Sequence, residues 1–312
     1  MKNFFFYNTL IILSSCFLFI ILEITLRLLG LAYPYNDLNL NNEVGVMKFD
    51  STLGWIPKEG NYIFEKYHEN GSQILFDFME DGRRITSPDG FESDRKVIIV
   101  GGSYTQGWAI SNNQTFAWKL QDKLESKGIE VRNYGVGAYG TYQCLLMLEK
   151  ITPGLVNPPS LVIYGFFDHH DERNIASSDW MQAIYRDRKS LDTLKVPYVG
   201  LQSNGMLLRH KPEELKPWYG RNKSSIIYFF EKLYLRFHLY KDRKEKEIIT
   251  EKLILEMNRF VNENMNSKLL VAHLERWGYH DYRVFLNENE KINYLDCTNP
   301  NIHKPGWFVK GD

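Results

Sequence analysis

The stretch that decides the fold is Lys96-Val-Ile-Ile-Val-Gly-Gly-Ser-Tyr-Thr-Gln-Gly107. Four consecutive apolar residues closed by two glycines read as a strand buried on both faces, as in a parallel sheet. In open parallel sheets ligands bind beyond the carboxyl ends of the strands. Ser103 therefore stands where a nucleophile would be wanted. The flanking glycines permit a tight turn and close approach of a ligand to the backbone. An ordinary strand-to-helix loop can carry Gly-Gly-Ser too, so this triplet alone does not decide function. A phosphate-binding loop is excluded, because no Gly-Lys-Ser/Thr follows at the required spacing.

Outward from this strand the chain alternates strand and helix. Gln114–Lys127 has helical periodicity through Phe116, Leu120 and Leu124, with Gly128 as C-cap. Glu130–Asn133 reads as a strand, Thr141–Ile151 as a helix, and Ser160–Phe167, Lys268–Leu274 and Lys291–Asp296 as three further strands. The order predicts an α/β fold: a flavodoxin-like three-layer sandwich around a mostly parallel sheet of about five strands. This domain takes residues 95–312, with an insertion at 185–265. Within it, 194–210 predicts a hairpin turning at Asn204-Gly205, and 224–265 one long or two consecutive helices. The charged run at 241–247 reads as a solvated helix face. Residues 34–94 form a connector and N-terminal flap with short strands at Asn61–Glu65 and Gln73–Phe78.

Residues 1–33 have another character. Phe4–Leu22 carries no charge, and a bilayer core needs ~20 apolar residues in a helix. Lys2 precedes the run, and Glu23 and Arg27 follow at a spacing that lets them pair. This predicts a single transmembrane helix with the domain on the extracytoplasmic side. A cleaved leader would have a shorter apolar core and a small-residue cleavage site. Leu13-Ser14-Ser15-Cys16 resembles a lipoprotein processing box, but the chain stays apolar after it.

Lys plus Arg and Asp plus Glu balance at 38 each, so no overall field recruits nucleic acid. Three cysteines, one of them in the apolar run, make neither a disulfide framework nor a thiolate zinc site. No metal and no cofactor are expected. The aromatic content of 14% suits a large core, and equally a carbohydrate or lipid site.

Gly101-Gly-Ser-Tyr-Thr-Gln-Gly107 resembles the first block of the SGNH (GDSL-like) hydrolases, Gly-Asp-Ser-x-Thr-x-Gly, with Gly102 in place of the acid. Asn133–Gln143 is similar to the second block, whose oxyanion-hole glycine aligns with Ala138, or with Gly137 if the loop is shifted. The third block normally ends a strand with Gly-x-Asn-Asp, and here the chain reads Gly165-Phe-Phe-Asp-His-His-Asp171. His170 falls at the Asn position, with His169 close by. A metal site built from Asp168, His169, His170 and Asp171 is disfavoured, because neighbours on an extended strand point to opposite faces. Gly306–Asp312 looks like the run-up to the final Asp-x-x-His block. Asp312 would then orient a histidine one or two residues further on, and His303 is the alternative base. The anchor followed by Asp50–Trp55 looks like bacterial membrane-bound members of the family.

The resemblance implies that Ser103 attacks an acyl ester, with Asp312 orienting the base. The oxyanion would be met by N–H groups of Ser103 and Ala138 (or Gly137) and by the side chain of His170. It implies a serine esterase on the outer side of a bacterial inner membrane, acting on O-acyl (acetyl) esters of surface carbohydrate or on lipid. An O-acetyltransferase of the same fold, or an inactive cell-envelope binding module, are the other readings.

Overall fold

The structure is a computed structural model. It describes residues 2–31, 46–64, 73–88, 90–177, 180–181, 183–184, 195–214, 218–221, 223–238, 245–276 and 280–298. Asp312 and His303 lie outside the described residues. The elements run α1 (Lys2–Leu28), β1 (Met47–Asp50), β2 (Gly54–Pro57), β3 (Gly60–Phe64), β4 (Ile74–Phe78), β5 (Arg95–Gly101), α2 (Ser103–Gln106), α3 (Phe116–Leu124), β6 (Ile129–Gly135), α4 (Thr141–Ile151), β7 (Leu161–Phe167) and α5 (His170–Asn174). Then follow β8 (Lys195–Leu201), β9 (Leu207–Glu214), α6 (Ser225–His238), α7 (Lys246–Asn264), β10 (Leu269–Glu275), α8 (Tyr282–Glu288) and β11 (Asn293–Asp296). The chain divides into two compact units, Met1–Asn39 with Leu215–Lys241, and Leu40–Glu214 with Asp242–Asp312.

The larger unit is α/β, built on a five-stranded sheet in the order β11-β10-β7-β5-β6. Every neighbouring pair in it is parallel. Counted along the chain, the order is 2-1-3-4-5, so the winding reverses between β5 and β7 and opens a crevice at their carboxyl ends. Val97–Val100 are all buried, as a strand covered on both faces requires. On one face Val97, Ile99 and Val131 pack with Ala117 of α3. On the other, Tyr164 of β7 meets Thr141 of α4, and α7 packs on α4 and β10. The Thr115 side chain caps α3 by accepting from the Trp118 N–H.

The edge strand β6 is covered rather than left open. Gln121 accepts from the Val131 N–H and donates to Ile129 O, Thr86 donates to Val131 O, and the Arg84 N–H donates to Asn133 O. Residues 34–94 were expected to be a connector and flap, and their described part is tied into this domain. Leu53 and Trp55 are fully buried, and Phe64, Ile74, Phe76 and Phe78 form a core cluster with Val46.

The hairpin at 194–210 is present as β8–β9, turning through Gly205 in the left-handed region (φ 77°). The single insertion expected at 185–265 is not one body. Ser225–His238 falls in the smaller unit, whereas Lys246–Asn264 is the helix that precedes β10, with Ile249, Leu253, Ile254, Met257 and Val261 buried. The polar run before it made it read as part of the insertion, although its apolar face belongs to the sheet.

The smaller unit holds α1, long and apolar enough by length and composition to cross a membrane over Phe6–Leu28. Its Glu23 accepts the backbone N–H groups of Ser225 and Ile226 and the Ser224 hydroxyl, so a carboxylate from one helix caps the start of α6. Arg27 pairs with Glu23 and donates to Lys223 O.

Candidate active site

Three glycines lie in register across adjacent strands, Gly135 of β6, Gly101 of β5 and Gly165 of β7. A Cβ on Gly101 or on Gly165 would fall inside the Thr105 hydroxyl, and one on Gly135 would meet Thr105 C at 2.6 Å. Because this row has no side chains, α2 sits directly on the strand ends, with Thr105 plugged into the groove and 1% exposed. Ser103 is thereby fixed as the first residue of α2, partly exposed. Among the described residues its Oγ has no hydrogen-bond partner.

The other end of α2 is held by a buried cation. Arg84, 1% exposed, donates from Nη1 to Gln106 O and Gly107 O and from Nη2 to Leu75 O and Ile110 O. Its Nε donates to Asn112 Oδ1, and its guanidinium carbon lies 3.9 Å from the centre of the Phe76 ring. All five donors are matched, and the charge faces carbonyls at a helix C-terminus, where a cation is favourable.

The loop after β6 passes beside Ser103. Val136 N–H donates to Gly101 O, and Tyr139 N–H to Val136 O. Gly137 N–H donates to Gln106 Oε1 at 2.9 Å, so that donor is already taken. Ala138 stands in the left-handed region at φ 69°, a conformation that favours glycine, and is partly exposed. No described group accepts from its N–H. Trp55 Nε1 donates to Gly137 O and the Tyr139 hydroxyl bonds Trp55 O, which fixes the loop from behind.

After β7, literal spacing of Gly-x-Asn-Asp from Gly165 would put Phe167 at the amide position. That ring cannot donate, and it stacks on Tyr104 with centroids 5.1 Å apart. His170 reaches the turn before Ser103 instead. Its Nε2 lies 2.9 Å from where a Cβ on Gly102 would stand, and Arg173 Nη1 lies 2.9 Å from the same point. An acid at position 102 would collide with both, so the glycine and the two basic side chains occupy one shared volume. Arg173 also donates to Tyr139 O at 2.8 Å. His170 Nδ1 lies 2.6 Å from Tyr164 Oη. Burial, and then the nearby Arg173 charge, hold the imidazole well below its ordinary pKa and therefore neutral.

The four polar residues after β7 turn to separate partners. Asp168 pairs with His273 Nε2 at 2.7 Å, with both side chains buried. Asp171 pairs with Lys246 at 2.8 Å. Among the described residues no group of three or more His, Cys, Asp or Glu is arranged to hold a metal ion.

Of the expected site residues, then, Ser103 and His170 lie on either side of Gly102, and Ala138 precedes Tyr139, whose carbonyl oxygen lies 3.3 Å from where a Cβ on Gly102 would stand. Gly137 supports the loop with its N–H occupied. Arg84, Gln106, Arg173 and Tyr164 were not foreseen. Gln106 falls at a variable position of the Gly101–Gly107 block and the other three at none of its fixed positions, so only the packing gives them a place.

No protein-family model matches the chain, and no curated protein matches it. Among solved structures it is similar to AlinE4, an SGNH-hydrolase family esterase, at 22% identity and a TM-score of 0.24, over 30% of this chain and 50% of that one. TesA gives 20% identity and a TM-score of 0.22 over 30% of this chain and 52% of that one. A mutant form of the AlinE4 esterase gives 14% identity and a TM-score of 0.26 over 57% of this chain and 75% of that one. The chain thus spans about half the length of the first two in those matches. Likenesses this remote carry no weight for the chemistry, which rests on the residues described above.

Proposed function

We propose that this chain is a serine esterase of the SGNH type on a flavodoxin-like three-layer sandwich, acting on O-acyl esters of cell-surface carbohydrate or lipid. The observation that carries the reading is the convergence at Gly102. A partly exposed serine begins a helix at the sheet's switch point, next to a glycine against which an imidazole nitrogen and the carbonyl of Tyr139 are placed.

In this reading Ser103 Oγ attacks the ester carbonyl while a histidine oriented by Asp312 takes its proton. The carbonyl oxygen becomes an oxyanion, met by the N–H groups of Ser103 and Ala138 and by His170. The alcohol then leaves with the proton, and water cleaves the acyl-serine. In the same reading α1 is an uncleaved anchor in a bacterial inner membrane with the larger unit outside the cytoplasm; Glu23 supports only the retention of α1. Removing α1 as a leader would strip the cap from α6.

The test is labelling by a serine-directed fluorophosphonate, together with hydrolysis of an aryl acetate. Wild type is expected to label and turn over. Ser103→Ala is expected to lose labelling, and at least about a thousandfold in rate. An unlabelled, inactive but folded wild type would point to the binding module instead.

A further inference from the structure

A neutral imidazole donates from one nitrogen only, so His170 can serve an oxyanion only if its proton is on Nε2. The buried groups behind the ring decide this. Asn174 Oδ1 accepts from the Tyr142 N–H, which fixes the amide and makes its Nδ2 the donor. That Nδ2 donates to Thr141 Oγ1 at 3.1 Å and to Thr250 Oγ1 at 2.8 Å. Thr250 sends its own proton to Lys246 O, so it can only accept from Asn174.

Thr141 Oγ1 is fully buried and has two described neighbours, the Asn174 amide and Tyr164 Oη at 2.8 Å. The amide is a donor, so Tyr164 Oη is the acceptor open to the Thr141 proton. Tyr164, also fully buried, must then send its own proton the other way, to His170 Nδ1 at 2.6 Å. The opposite order would leave the Thr141 hydroxyl as a buried donor without an acceptor, which is the costlier arrangement.

We infer that Asn174, Thr141 and Tyr164 are positioning residues that hold His170 as its Nε2–H tautomer, aimed across Gly102 at the oxyanion position. This rests on the esterase reading for its purpose, though not for its geometry. It also accounts for the departures at both positions: Gly102 leaves room for the ring, and the ring replaces an amide donor.

The experiment is nitrogen-15 NMR of the histidine side chains in the full-length protein, with His170 assigned by comparison with His170→Asn. The expected result is a protonated Nε2 and an unprotonated Nδ1. A proton on Nδ1 would overturn the inference, whether or not the protein is an esterase. Tyr164→Phe supplies the second arm. It is expected to remove the tautomer bias and to lower kcat by about 10- to 100-fold at unchanged KM, toward the loss of an oxyanion donor. The same change in a His170→Asn background is expected to leave kcat nearly unmoved. An equal loss in both backgrounds would mean a merely structural tyrosine and sink the proposal. A correct tautomer in an inactive wild type would leave this inference standing and overturn the esterase reading alone.

Discussion

At the scale of single residues, Gly102 is the most exacting position. Gly102→Ala pushes a methyl against His170 Nε2 and Arg173 Nη1, each 2.9 Å away, in the manner of an overpacked core. A loss of about 1–3 kcal/mol is expected in denaturant unfolding, with slower fluorophosphonate labelling. Thr105 gives the opposite sign. Its buried hydroxyl has no partner among the described residues, so Thr105→Val is expected to match or exceed the parent stability by up to about 1 kcal/mol. The sign for His170 also follows from its surroundings. Burial and Arg173 hold its folded pKa well below 6.5, so below that pH the unfolded chain takes up the proton first. Its contribution to stability is constant above pH 6.5 and falls below it, by up to about 1.4 kcal/mol per pH unit. Unfolding of wild type and His170→Asn at about pH 7 and pH 5 checks this: the wild type is expected to lose more stability than the variant on going to the lower pH.

At the scale of elements, the glycine row and Arg84 grip α2 from its two sides. Gly165→Ala is expected to disrupt the turn that carries Ser103, and Thr105→Ala added to it to restore part of the loss, as a double-mutant cycle in unfolding free energy would show. Much of this level is legible in the sequence. The sheet strands appear as short apolar runs between turn residues, with Gly101 closing one run and Gly165 set inside another. Their alignment across the sheet does not, because register is set by packing and not by the local run. Arg84 reads as one more charged residue in a polar stretch. Only the fold surrounds it with acceptors from several segments. Lys246–Asn264 was placed in an insertion for a related reason, since its polar face and charged approach mask the stripe buried under β10. His170 was found through a motif, but the direction of its proton depends on Tyr164, Thr141 and Asn174, which no spacing rule connects.

At the scale of the whole molecule, the smaller unit is organised by one carboxylate. Glu23→Leu removes the cap on α6, and amide exchange at Ser225 and Ile226 is expected to rise about fivefold, for about 1 kcal/mol of capping. If α1 anchors the chain, deleting residues 2–28 is expected to move the protein from the membrane pellet to the supernatant. The same deletion should bring the same faster exchange in α6. The cap also sets a schedule. Glu23 and the amides it accepts are 202 and 203 positions apart, and a ribosome adding ~5–20 residues per second needs roughly 10–40 s to cover that distance. Throughout that interval α1 is already made while its carboxylate has only Arg27 for company. One of the later helices is therefore completed by the first to leave the ribosome, and in a nascent chain stalled before Ser224 the capping carboxylate of α1 would still await the amides it accepts.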